Sequence, residues 1–100
     1  MSLYAFTPQA ADDLSEIWSF IARDSFEAAD RVESAIFQAC ELVAGSPLAG
    51  FIRRDLTVLP VRFWVVQPYS NYLVIYDPEK RPVQIIRILH AARNLRSFLK

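Results

Sequence analysis

His90 is the one side chain in this 100-residue chain that titrates near neutrality without help from its surroundings. It stands in Arg87-Ile88-Leu89-His90-Ala91-Ala92-Arg93, between two arginines. Cleavage of RNA by its own 2′-hydroxyl needs a base, an acid and cations to hold the phosphate, and Arg62, Arg87, Arg93 and His90 make up such a kit. Spacing works against it. Along a strand Arg87 points with Leu89, whereas His90 points with Ile86 and Ile88, so the two converge only where the strand ends or bends before His90. A lone histidine near a strand end also reads as a hydrogen-bonded structural residue.

Arg62 and Arg87 each interrupt an apolar run, where a guanidinium needs a carboxylate, carbonyls or solvent. A ligand could supply that partner, and so could an acid of the N-terminal half such as Asp13 or Glu16. Tyr69, Tyr72 and Tyr76 recur near one strand and could stack on bases, or could pack in a half-buried sheet. The single cysteine, Cys40, excludes an internal disulfide framework and, with His90, leaves no four-ligand zinc site. Phosphate-cradling glycine loops, nucleophile elbows, HExxH and paired-cysteine motifs do not occur in the sequence. The expectation is no cofactor and no metal.

Positioning these residues falls to one domain, 1-100. With 53% hydrophobic residues, the chain supplies enough apolar surface for a single modest core, and at this length it removes roughly 60–70% of its unfolded surface from water. Leu3 to Phe6 reads as a strand, and Thr7-Pro8 supplies an N-cap hydroxyl and a proline at the first helical position. Ala10, Leu14, Ile17, Trp18 and Ile21 then fall on one helical face, with Asp12 and Asp13 expected in the first turn. Asp24 and Glu27 resemble a capping box for a second helix, whose stripe is Ala28, Val32, Ala35, Ile36, Ala39 and Val43 and which Gly45 and Pro47 end.

Ser46 to Pro60 is a long connection with a short extended piece expected at Leu56 to Leu59. Three β-rich runs follow, Val61 to Val66, Tyr72 to Tyr76 and Val83 to Leu89, joined by turns and so paired antiparallel. Ala91 to Lys100 forms a terminal helix with Leu95, Phe98 and Leu99 on one side. The order is β-α-α-β-β-β-α, an α+β fold with a helical hairpin packed on a small, mainly antiparallel sheet.

A net charge of zero conceals a split. Residues 1–50 hold two basic and eight acidic side chains, residues 51–100 nine basic and three acidic. Either the molecule has a basic side that attracts an anionic partner, or the halves interleave and neutralise each other. Phe37 lies off the second helix's apolar stripe, and with Phe20 and Phe26 it could line a groove for a partner or sit beneath the long connection. No basic leader precedes an apolar stretch, and Val58 to Val66 is broken by Pro60 and Arg62, so export and membrane spanning are not expected and the cytoplasm is.

Taken together, Ala11-Asp12-Asp13-Leu14 with Ile17 to Ala22, Ser46-Pro47-Leu48-Ala49-Gly50, Arg62, Tyr72 to Tyr76 and Val83 to Asn94 resemble the RelE/ParE superfamily of type II toxins, and the ParE branch in particular. The resemblance covers nearly the whole chain, and its most specific part is the closing Arg-x-Leu-His followed by an arginine. It implies a cytoplasmic growth inhibitor, of the kind tied to plasmid stabilisation, that is silenced by a cognate antitoxin in a toxin–antitoxin hetero-oligomer. ParE-like members bind and poison DNA gyrase, whereas RelE-like members cleave messenger RNA on the ribosome. This chain has only Lys80 and Lys100 as lysines and no tyrosine after Tyr76, which departs from the nuclease pattern.

The expectation is therefore a gyrase-binding toxin whose target contacts are Arg87, His90 and Arg93. The alternatives are an endoribonuclease using Arg62, Arg87 and His90, and an inactive toxin fold that only binds antitoxin. Antitoxin contacts are expected at Phe37, Arg53, Arg54 and Arg81.

Overall fold

The computed structural model describes residues 3–98 and consists of β1 (Tyr4–Phe6), α1 (Pro8–Ala22), α2 (Phe26–Gly45), β2 (Arg62–Val65), β3 (Tyr72–Asp77), β4 (Val83–His90) and α3 (Ala91–Phe98). Leu99 and Lys100, expected in the terminal helix, lie outside the described residues. The four strands form one sheet in the order β1-β4-β3-β2. β1 runs parallel to β4, with Tyr4 opposite Val83, and the other neighbours are antiparallel. This is the expected α+β arrangement.

Thr7 starts α1 and ties it to the sheet. Its side-chain oxygen accepts from the Ala10 N–H at 3.0 Å and donates to the Ile86 carbonyl at 2.8 Å, so one hydroxyl caps the helix and occupies part of the edge of β4 beyond the end of β1. With the helix beginning at Pro8, Asp12 and Asp13 fall past the first turn rather than in it. The N-cap of α2 is Ser25, not Asp24, and its hydroxyl accepts from Ala28 at 3.1 Å. The reason is that the N–H groups of both Asp24 and Ser25 still close the last turn of α1 on the Ile21 carbonyl. Glu27 therefore sits one position short of a capping-box partner. Gly45 ends α2 without a left-handed conformation, since no glycine has positive φ, and Ser46 closes the helix on Leu42.

One face of the sheet carries the hairpin. Leu14 of α1 and Val32, Ile36, Ala39 and Val43 of α2 pack against Val74, Tyr76, Ile85 and Ile88. The opposite face holds a second, smaller core of Val61, Phe63, Ile75 and Leu89, covered by Leu56 and by Leu95 and Phe98 of α3. Burial on both faces explains why Tyr72 to Tyr76 is a continuous apolar run, all of it buried, rather than an alternating one.

The layers carry opposite charge and meet at the edge of the sheet, where Arg87 pairs with Asp13 and Arg93 lies over Phe20 of the hairpin. The hairpin, residues 8–45, has eight acidic and two basic side chains, while the long connection and α3 supply Arg53, Arg54, Arg93 and Arg96 against Asp55.

A bulge in β4 falls before Arg87 and leaves the alternation between Arg87 and His90 intact. Tyr76 pairs with Ile85 and its neighbour Ile75 with Arg87, so Ile86 is an extra residue. As a result Ile85 and Ile88 both face the hairpin although they are three apart, and Ile86 and Leu89 both face the second core. The strand then continues through His90, opposite Tyr72. The expected extended piece at Leu56 to Leu59 is also displaced. Residues 53–57 close a turn on the Arg53 carbonyl, and it is Phe51 that pairs with the sheet, exchanging both backbone hydrogen bonds with Phe63.

Candidate functional site

Where β1 stops short, the outer edge of β4 lies open beside α1. Asp13 fills part of it. Its carboxylate accepts from Arg87 Nε at 2.7 Å and Arg87 Nη2 at 3.0 Å, and from the Ile88 backbone N–H at 3.0 Å. Three donors on one half-buried carboxylate make this a joint between α1 and the sheet, and the bidentate fork fixes Arg87 in place. The Asp13 carboxylate raises the Arg87 guanidinium above its ordinary range, so Arg87 is a permanent cation with its charge matched locally.

Next to this joint is a cleft of about 240 Å3 lined by Glu16, Phe20, Ile88, His90, Arg93 and Asn94, with Asp13 and Arg87 at its side. The guanidinium of Arg93 lies 4.7 Å from the centroid of the Phe20 ring, a cation–π contact that links α3 to α1. His90 meets Tyr72 edge-on, with centroids 5.3 Å apart, and its buried Nδ1 has no hydrogen-bond partner among the described residues. Burial, and secondarily the charge of Arg93, push the imidazole below its ordinary range, so it is mainly uncharged at neutral pH. The cleft thus holds one neutral imidazole and two cations balanced by two carboxylates.

Arg62 is not part of it. The register places Arg62 opposite Tyr76 and His90 opposite Tyr72, at diagonal corners of the sheet, roughly 13 Å apart along the strands and about 10 Å across them. Its Nη1 donates to the carbonyls of Gly50 at 2.7 Å and Leu48 at 3.3 Å. The expected grouping of Arg62, Arg87 and His90 is therefore not assembled, because β3 stands between the strands that carry them. The partner of Arg62 is the backbone of the long connection, not an acid of the hairpin. Arg87 does take Asp13, the alternative that its apolar surroundings left open.

The tyrosines are packing residues: Tyr72 and Tyr76 are buried and Tyr69 rests on the same core, so no tyrosine ladder faces solvent for stacking. Tyr76 Oη nevertheless forms a second joint, accepting from the Gly50 N–H at 2.8 Å and donating to the Pro47 carbonyl at 2.7 Å. That clamp was missed from the sequence, where the signal was a tyrosine inside an apolar strand and one of two glycines in the connection.

Phe37 is half-buried and stacks on Phe6 at 6.2 Å, so β1 rather than the long connection covers it. Phe20 and Phe26 remain 52% and 68% exposed on opposite sides of the hairpin turn, Phe26 against Trp18 and Phe20 beneath Arg93. Arg53 pairs with Asp55, Arg81 donates to carbonyls of its own turn, and Arg54 is exposed with no carboxylate partner among the described residues. Among the same residues there is no cluster of metal-ligating side chains and no helix long and apolar enough to cross a membrane. Cys40 is buried, and burial pushes its thiol up to about 12.

Comparison with known proteins places this arrangement. No curated protein sequence matches the chain. A solved structure described as the chromosomal ParDE toxin–antitoxin system from P. aeruginosa shares the fold with a TM-score of 0.70 at 22% sequence identity, over 90% of this chain and 95% of that one. The family model for the ParE toxin of the type II toxin–antitoxin system parDE matches residues 4–95, which spans every strand, the hairpin and half of α3. The chain belongs to the ParE toxin family of type II toxin–antitoxin systems.

Proposed function

We propose that this toxin acts by binding DNA gyrase and not by cutting RNA, and that a cognate antitoxin neutralises it in a hetero-oligomer. The observation that carries the choice is the hold of Asp13 on Arg87. A phosphate-cleaving site needs cations free to meet a developing negative charge, with a base and an acid in reach. Here Arg87 is committed to a carboxylate, Arg62 to backbone carbonyls at another corner, and Asp13 and Glu16 line the cleft where a phosphate would sit. A cleft of balanced charge does not attract a polyanion, but it suits the rim of a protein interface. His90 and Arg93, with Phe20 between α1 and α3, are the groups that face such a target, and Arg87 holds the edge that carries them.

Antitoxin contacts are assigned to Arg53, Arg54 and Arg81, which stand exposed on the loops, and to Phe37 through the flank it shares with Phe6. The test uses the purified chain in two assays, supercoiling by gyrase and messenger RNA integrity in cell-free translation. Loss of supercoiling with intact RNA is the expected result. Codon-positioned breaks with gyrase unaffected, abolished by His90→Ala, would replace this reading with the nuclease one. Absence of growth arrest on expression alone would leave an inactive antitoxin-binding fold.

A further inference from the structure

Two arginines share one ring. Phe20, in the last turn of α1, has the guanidinium of Arg93 4.7 Å and that of Arg23 6.0 Å from its centroid. The two come from separate elements, Arg23 from the C-cap of α1 and Arg93 from α3, and both are exposed. Neither has a carboxylate or hydrogen-bond partner among the described residues, although the hairpin carries eight acidic side chains. Arg53 and Arg87, by contrast, are each forked on an aspartate. A ring restrains a guanidinium without consuming any of its five N–H donors. Unused polar groups continue into the cleft, which Asn94 lines beside Arg93 and where the buried Nδ1 of His90 has no partner among the described residues.

We propose that Arg23 and Arg93, gathered on Phe20, take a carboxylate from the toxin's target, so that an aspartate or glutamate side chain of that protein enters the mouth of the cleft and Phe20 is the positioning residue. The proposal rests on the reading above that the target is a protein. Charge and shape select the ligand. A carboxylate brings one negative charge and a planar pair of oxygens that a guanidinium matches with two parallel bonds, as Asp13 does with Arg87 beside this cleft. A nucleic acid would bring many charges past Glu16 and a hairpin of eight acids and two bases, so repulsion there offsets what the two arginines contribute. Order is supplied in advance. Phe20 limits the conformations of both arginines, so less freedom is lost when the carboxylate arrives.

The test follows the arginine Nε–H signals of the full-length chain by NMR during titration with N-acetyl-aspartate. N-acetyl-asparagine and adenosine monophosphate serve as comparison probes. Expected are saturable shifts at Arg93 and Arg23 with the aspartate probe, at least about tenfold weaker binding of the amide, and loss of the response in Phe20→Leu with recovery in Phe20→Tyr. In a second arm, inhibition of gyrase supercoiling should need about tenfold more Arg93→Lys, which keeps the charge and loses the fork, than wild type. Phe20→Leu should weaken inhibition in the same direction, whereas Arg31→Gln, at the hairpin arginine that lines a different cavity with Tyr69, leaves it unchanged. All these positions are exposed, and circular dichroism checks that the variants fold. Equal binding of the aspartate and asparagine probes, tighter binding of adenosine monophosphate, shifts at Arg31 as large as those at Arg93, or an undiminished response in Phe20→Leu would each overturn the proposal. A wild-type chain that leaves gyrase untouched would overturn the underlying reading instead, and the titration reads independently of it.

Discussion

Two corners of the sheet use an arginine from a strand in opposite ways. At the β4 corner, Arg87 is matched by a carboxylate that also takes a backbone N–H, and the result is a half-buried ionic joint between α1 and the strand. At the β2 corner, Arg62 meets only carbonyls, and the buried anchor is the hydroxyl of Tyr76. The first corner leaves polar groups facing out, among them His90 and Arg93, and the second holds out an apolar loop. An arginine inside an apolar strand is thus no guide to a site by itself. What it bonds decides whether its surroundings become polar or apolar, and so which kind of partner each corner suits.

The sharpest way to break the first corner is Asp13→Ala. It strands a half-buried guanidinium and leaves the Ile88 N–H unpaired in one step, so the expected loss is about 3 kcal/mol, read by denaturant unfolding. A loss below about 1 kcal/mol would mean that water replaces the carboxylate and that the joint is not what seats α1. At the second corner the matching change is Gly50→Ala. An added Cβ would meet the hydroxyl oxygen of Tyr76, its Cε1 at 2.8 Å and the Phe63 carbonyl at 2.9 Å. Tyr76 is fully buried and its hydroxyl bonded at two points, so it cannot swing aside, and about 2 kcal/mol of destabilisation is expected from overpacking.

Truncating the two arginines tests the comparison directly. Arg87→Met leaves Asp13 with one donor in place of three, whereas Arg62→Met frees carbonyls that water can reach. About 1.5 kcal/mol is expected for Arg87→Met and about 0.5 kcal/mol for Arg62→Met. Thermal melts of the two variants side by side decide it, and equal losses would erase the distinction between the corners.

These joints also mark where the sequence stops being informative. The 3.6-residue spacing of Leu14, Ile17 and Ile21 and of Val32, Ile36, Ala39 and Val43 fixes both helices, since a helical face depends only on neighbours in the chain. The bulge at Ile86 depends on how β3 meets β4, so strict alternation misassigned which face Ile86 takes, while Arg87 and His90 keep their alternation and meet at one cleft because Arg87 reaches Asp13 at the open edge of β4. The contacts of Asp13 lie 74 and 75 residues away, and residue types could name Arg87 as a candidate partner but not the N–H of Ile88. His90 and Arg93 were legible by type and proximity. The separation of Arg62 from them was not, because strand order is a property of the sheet and not of the order along the chain.

The smallest expected effect concerns His90, and it separates the two corners by pH. Burial and the nearby Arg93 depress the imidazole in the folded state, so the unfolded chain binds the proton more readily. Stability contributed by keeping His90 neutral is fully present above the ordinary histidine range and is lost as pH falls through the lowered folded value. The wild type should therefore lose melting temperature between neutral and mildly acidic pH by more than His90→Gln does, a difference of a few degrees at most for a domain of this size. Gly50→Ala, at the corner without a histidine, should follow the wild-type slope. If His90→Gln keeps that slope as well, the imidazole is solvated in the native state, and charging His90 costs the fold nothing.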